Sequence, residues 1–289
     1  MGYLLNILII SGIFGILSIS LNVLCGFSGI LSLAHAAFFG IGAYTLGLLT
    51  TKLGMPYWTA LMAGGVFAAF AGILIGLPTL RLKGDYLLIA TLGFGEIYTN
   101  TMTNLDNITE GTRGITGIPS PSIWGIRFDS DATFIILLII TCALCTMSAI
   151  YIKNSPFGKV LFAISEDEDG AAALGRNTTR FKVSSIAFSA FWAGIAGSLY
   201  ASYVGYINPN LFTINESILI FTMVLFGGLG SIPGSLIGAF ILVALPEAMR
   251  FIGLPNTVAA VIRQMLYGLL LIVIMYFRPQ GMFGTVKLK

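Results

Sequence analysis

The densest chemistry in the chain lies at residues 165–182, SEDEDGAAALGRNTTRFK, where Glu166, Asp167, Glu168 and Asp169 stand in a row and Arg176, Arg180 and Lys182 follow. Neighbouring carboxylates can divide general-acid and general-base work, but only where an apolar pocket separates their proton affinities, and a run this charged is solvated. The other candidates are isolated. His35, in LSLAHAAFFG, is the only histidine, and the nearest acid in sequence is Asp85; a Ser-His-Asp relay has only residue types in its favour. Cys142 and Cys145 form a CxxC, yet Cys25 is the one further cysteine, too few partners for a metal shell. No GxxxxGK[ST] phosphate loop occurs. The residues point away from an enzyme and toward no cofactor and no metal held by this chain.

The elements that must position these residues belong in a bilayer. Charged residues make up 9% of the chain and mean hydropathy is +0.93, against roughly 25% charged in soluble domains. Charge-free runs cover 1–51, 53–80, 132–152, 183–215 and 217–246, each beyond the roughly 18 apolar residues that mark a span. The first run would reach about 75 Å as one helix, so it turns inside, at GFSG 26–29. MGYLLNILIISG lacks the basic region and cleavage site of a secretory signal and reads as a retained helix. Hydropathy and breakers place spans near 3–24, 34–51, 57–77, 85–100, 132–152, 183–205, 214–228, 235–250 and 261–277. The expected fold is all-α: a polytopic bundle of about 8–10 transmembrane helices in one domain, 1–289. GGLGSIPG at 227–234 makes one element re-entrant or broken.

Basic residues set the orientation. Lys153, Lys159, Arg176, Arg180 and Lys182 in the loop 153–182, and Arg278, Lys287 and Lys289 in the tail, put both on the cytoplasmic side of an inner membrane. Arg81 and Lys83 fall on that side by parity, and 101–131 falls outside. The net charge of +3 is small and scattered, which argues for no nucleic-acid partner. Ala190, Gly194, Ser198 and Ser202 recur every four residues, as do Gly230, Gly234 and Gly238. Such ladders let helices pack closely in lipid, or they line a path.

Within the charged patch, Ser165 and Glu168 have the spacing of a capping box, the acids suit a helix start, Ala171, Ala172, Ala173 and Leu174 continue it, and Gly175 stops it. That makes a cytoplasmic helix of about ten residues, roughly 15 Å. Asn177 or Thr178 caps the next span. On these residues alone, a solvated loop and a projecting helix for docking both stand.

The patch also resembles the EAA-type coupling loop of ABC importer permeases. Together with GDYLLIATLGFGEI (84–97), NTTRFK (177–182), FGGLGSIPGSLIGA (226–239) and FRPQGMFG (277–284), it resembles the permease subunits (LivM-like) of high-affinity branched-chain amino acid importers over about 16–284. The resemblance implies a subunit that forms half of a translocation pathway. Its implied partners are a second related permease, two ATP-binding subunits that hold the ATP, and an extracytoplasmic binding protein that delivers the substrate. Residues 165–175, Gly170 included, would then couple to the ATPases. Gly170 departs from expectation, since alanine there is about 1 kcal/mol better in a helix. Urea, amides or other amino acids are alternative substrates, and a self-contained secondary transporter is the alternative class.

The remaining polar residues are single. His35 is a packing group or a pathway residue. Glu96, near a span end, sits at the outer interface or faces the route, as do Gly227, Gly228 and Gly230 if the broken element lines it. EGTRGITGIPSP (110–121) touches a binding protein or is a turn-rich loop.

Overall fold

A helix without a polar face is stable only when enclosed. Residues 3–27 carry no charge on any side, and in the computed structural model they form the molecular centre. Helix α1 (Gly2–Asn22) and the π-helical turn that continues it (Val23–Phe27) are buried without interruption from Ile13 to Ser28. The structure describes residues 2–80, 82, 84–123, 126–128, 130–250, 256–277 and 281–284. Arg81, Lys83, Arg278, Lys287 and Lys289, which entered the orientation argument, lie outside the described residues.

Among the described residues eleven further α-helices follow: α2 (His35–Thr51), α3 (Tyr57–Thr79), α4 (Asp85–Asn104), α5 (Asp106–Thr109), α6 (Asp131–Asn154), α7 (Pro156–Glu166), α8 (Glu168–Ala173), α9 (Thr178–Val204), α10 (Ile214–Gly227), α11 (Ile232–Arg250) and α12 (Asn256–Phe277). Five helical segments among the described residues are long and apolar enough to cross a membrane. The fold is an all-α polytopic bundle. Its described strands are two-residue pieces: β1 (Ile115–Thr116) pairs antiparallel with β4 (Tyr206–Ile207), and β2 (Ser122–Ile123) with β3 (Ile126–Arg127).

α1 packs on α6, α9, α10 and α11, and α9 is held between α2 and α3. The small-residue ladder of α9 is a packing face, because glycines of α3 meet it in antiparallel order. A Cβ on Gly64 would collide with Ser198, one on Gly72 would stand 2.9 Å from Ala190, and one on Gly76 3.0 Å from Ile186. Ala190, Ser198 and Ser202 are buried accordingly. The 110–121 segment is a built end. Lys52 donates to the Ile108 carbonyl at 2.7 Å, Gly114 abuts Ile207, and β1 joins it to the 205–212 turn.

GGLGSIPG does break a helix. α10 ends at Gly227, the chain passes Gly228 (φ +110°) and Gly230 (φ +77°), and α11 returns antiparallel with Gly227 against Gly234. Residues 227–231 are buried, so backbone groups freed this way must find partners in the protein. Asn22, at the end of α1, supplies most of what is needed. Its Oδ1 accepts the Gly230 N–H at 2.8 Å, and its Nδ2 donates to the Ser231 carbonyl at 2.9 Å and the Ser235 hydroxyl at 2.6 Å. The tail caps α10 from the other side: the N–H groups of Met282 and Phe283 reach the Phe226 and Gly227 carbonyls at 3.0 and 3.1 Å.

Removing the Asn22 carboxamide orphans the buried Gly230 N–H at about 1–3 kcal/mol, while the Ser231 carbonyl keeps the Ser235 N–H at 3.1 Å. Asn22→Ala is therefore expected to lower the thermal unfolding midpoint of the detergent-solubilised protein sharply. Ser235→Ala, which leaves both backbone bonds in place, is expected to cost about 1 kcal/mol at most. Equal midpoints for the two variants would contradict this assignment.

Candidate functional site

The charged patch is built differently from the ten-residue helix expected. Helix formation starts earlier, at Ser155-Pro156, where the Ser155 Oγ accepts the Gly158 N–H at 3.2 Å and proline takes the first helical position. α7 is amphipathic: Leu161 and Ile164 are buried, and Phe157 stacks on Phe181 of α9 at 5.1 Å. Ser165 and Glu166 belong to the end of α7, and Ser165 bonds back to the Phe162 carbonyl. The chain then turns at Asp167, whose Oδ1 caps α8 by accepting the Gly170 N–H at 3.0 Å. The cap is thus Asp167 and not Ser165, because Ser165 is already helical and has no free amide to receive.

Gly170 follows from this. A Cβ there would stand 2.6 Å from the capping carboxylate, so the propensity argument for alanine does not hold at this position. Glu168, expected to close a capping box with Ser165, instead pairs with Lys182 at 2.6 Å and ties α8 to α9. At the far end Gly175 (φ +80°) donates to the Ala172 carbonyl and Arg176 to the Ala171 carbonyl, the paired bonds of a Schellman stop. Asn177 caps α9 through the Arg180 N–H at 3.2 Å. Ala171 is buried beneath this turn, while Asp169, Ala172 and Ala173 are exposed and Leu174 is 83% exposed at the tip. The result is a stiff projection whose summit is small and apolar.

The projection rests on the break. Phe162 of α7 meets Phe27 of the π-turn at 5.0 Å, and a Cβ on Gly29 would lie 3.1 Å from the Cβ of Ser165. Lys153, at the end of α6, donates to the Gly230 carbonyl at 3.0 Å, its ammonium 6.0 Å from the Phe27 ring. Lys153 and Asn22, which both hold the glycine turn, were passed over in the sequence reasoning. Lys153 counted only as a positive-inside charge; Asn22, one of two amides with Asn6 in the charge-free run 1–51, was the available signal.

The pathway candidates do not converge. His35 is fully buried at the start of α2, 2.8 Å from the Ser20 Oγ through Nε2. The Ser20 hydroxyl donates to the Leu17 carbonyl, which leaves the imidazole as donor. Gly227, Gly228 and Gly230 lie in the break, Gly227 against Gly234, Gly228 against the tail at Gly284, and Gly230 on Asn22. Glu96 stands apart. α4 runs to Asn104, beyond the expected end near 100, because its polar residues bond to carbonyls one turn back: Asn100 to Glu96, Thr103 to Thr99 and Asn104 to Asn100. Glu96 therefore sits about 17 Å along a 20-residue helix, near its middle. It is exposed, and its carboxylate has no partner among the described residues. Facing lipid, it would cost roughly 2.5–3.5 kcal/mol.

The described residues thus form an all-α bundle with a capped projection at one end and an exposed carboxylate midway along an open helix face. The family model described as branched-chain amino acid transport system / permease component matches residues 3–275, and the chain belongs to that family. It is 36% identical to the high-affinity branched-chain amino acid transport system permease protein LivM of Escherichia coli K12, across 95% of this chain and 68% of the relative. It is 28% identical to a probable branched-chain amino acid transport permease protein LivM of Methanocaldococcus jannaschii, across 96% and 92%. The E. coli permease protein LivH is 26% identical, also across 96% and 92%. No solved structure matches the chain.

Amide hydrogen exchange of residues 168–175 checks the caps. Gly175→Ala forces a left-handed φ on a side chain at about 1–2 kcal/mol, so exchange there is expected to quicken about 5- to 30-fold. Gly170→Ala, which propensity alone says should slow exchange, is expected to quicken it.

Proposed function

We propose that the chain is one of two permeases in an ATP-driven ABC importer of branched-chain amino acids in the cytoplasmic membrane of a bacterium or archaeon. The observation that carries this reading is the α7–α8 projection: capped at both ends, tied to α9 by Glu168 and Lys182, and ending in Ala172, Ala173 and an exposed Leu174. A solvated loop has no use for that stiffness. A separate motor that must push on the bundle does.

On this reading 153–182 faces the cytoplasm and two ATPase subunits dock on the α8 tip. Closure of the ATPases on ATP moves α7 as a lever. The load passes through Phe162 and Ser165 to the π-turn, and through Lys153 to Gly230, so that α10 and α11 shift together about their glycine contacts. The second permease is a relative of this chain, a reading supported by the similarity of the chain to both LivM and LivH of one organism. A binding protein delivers substrate at the opposite end, where the 105–128 segment and the 205–212 turn are joined.

Reconstitution tests this. Liposomes carrying both permeases, the ATPases and the binding protein are expected to take up leucine with ATP and to stop when the ATPases are omitted. Ala171→Pro deletes the Ala171 N–H bond to the Asp167 carbonyl inside α8. It is expected to lower uptake more than tenfold, about 1.4 kcal/mol on the coupled step, with normal membrane insertion. Glu168→Pro is expected to be milder, because residue 168 is the first helical position and tolerates proline. Gradient-driven uptake by this chain alone would overturn the reading.

A further inference from the structure

The described helices leave several faces open, an apolar face of α12 with Met265, Leu269 and Ile272 among them, and the faces differ in kind. On α3, Val66, Phe70 and Leu74 are exposed, and on α6, Ile140, Leu144 and Met147; such surfaces suit acyl chains. α4 is different. Tyr86, Ile89, Gly93, Glu96, Ile97 and Asn100 recur at three- and four-residue intervals, so they fall on one face. Tyr86, Ile89 and Ile97 are all more than 60% exposed, and a Cβ added at Gly93 would meet nothing within 4 Å. The opposite face of α4 is spent on the bundle: Phe94 packs on Phe38, Tyr98 on Gly40, and the Thr91 hydroxyl accepts the Leu33 N–H at 3.1 Å.

A face with a carboxylate at its centre is not a lipid face, since hydrocarbon offers Glu96 neither water nor a counter-charge. A partner must cover the apolar residues while leaving Glu96 wet. We infer that the Tyr86–Gly93–Ile97 face of α4 is where this subunit meets the second, related permease, and that Glu96 lines the aqueous path between the two. The occupant is a permease of the same fold. It must span the bilayer to cover α4 from Tyr86 to Asn100, about 21 Å along the helix, and the E. coli system whose permeases resemble this chain has two such proteins. A zwitterionic substrate entering that seam would present its ammonium group to Glu96. The inference rests on the importer reading for its partner, but not for the choice of helix.

A photo-crosslinking residue placed at Tyr86, Ile97, Leu144 or Met147 of the assembled transporter, with the partner permease tagged, tests the seam. Crosslinks to the partner are expected from 86 and 97 and not from 144 and 147. Crosslinks from α6 alone, or from neither face, would overturn it. Glu96→Leu tests the path. Leucine on a lipid face would raise thermal stability and leave ATP-driven uptake intact, which would refute the role of Glu96. The expected result is at least a tenfold loss of uptake with assembly retained, and with Glu96→Asp recovering more uptake than Glu96→Gln. ATP-dependent uptake by the unsubstituted complex is measured alongside, so failure of the importer reading is seen separately from failure of the seam.

Discussion

Inside hydrocarbon, a helix cannot be interrupted unless every amide and carbonyl it releases finds a partner in the protein. The same holds for a break buried in a bundle, and the structure turns on a buried one: the glycine turn between α10 and α11, held by the carboxamide of Asn22. The turn needs Gly228 and Gly230 at positive φ. It also brings backbone against backbone, with a Cβ at Gly26 or Gly227 colliding with Gly230 or Gly234. Such contacts leave no side chain to absorb a displacement. Densely packed interfaces move between discrete arrangements and do not compress, so the break is suited to passing motion on.

That property explains why the projection stands where it does. α7 could have been a free helix, yet it lies on the π-turn through Phe162 and on Gly29 just beyond it through Ser165, and the adjoining Lys153 reaches into the break itself. π-turns inserted in α-helices often mark functional sites; here the widened turn lets Asn22 and Phe27 face the break and α7 at once. The same segment of α1 thus serves as the axle of the bundle and as the contact between its cytoplasmic lever, on the proposed function, and its broken helix.

Much of the architecture was legible in the sequence because its causes are local. Charge-free runs marked the helices, GGLGSIPG marked the break, Gly175 the stop and Asn177 the cap. What stayed hidden was set by tertiary contact. Ser165 and Glu168 had capping-box spacing, but Ser155-Pro156 starts a helix upstream and consumes Ser165, so Asp167 takes the cap. Gly170 looked like a weak helix residue until the Asp167 carboxylate lay over it. α4 seemed to end before its polar NTMTN segment, whose side chains in fact bond to the preceding turn. Glu96 moved to the middle of α4 as a result. Asn22 carried a signal, an amide in an apolar run, but its partners lie more than 200 positions away in the chain, and no spacing rule connects them.

The central claim is that force on the α8 tip reaches the break through the π-turn. Structures of the assembled transporter, nucleotide-free and ATP-bound, test it most directly through the positions of Leu174, Phe27 and Gly230. The account predicts Leu174 seated on an ATPase subunit in both states, with the Phe27 and Gly230 segments displaced together when ATP binds. A projection that touches no ATPase, or one that moves while Asn22 and the glycine turn stay fixed against the rest of the bundle, would contradict it.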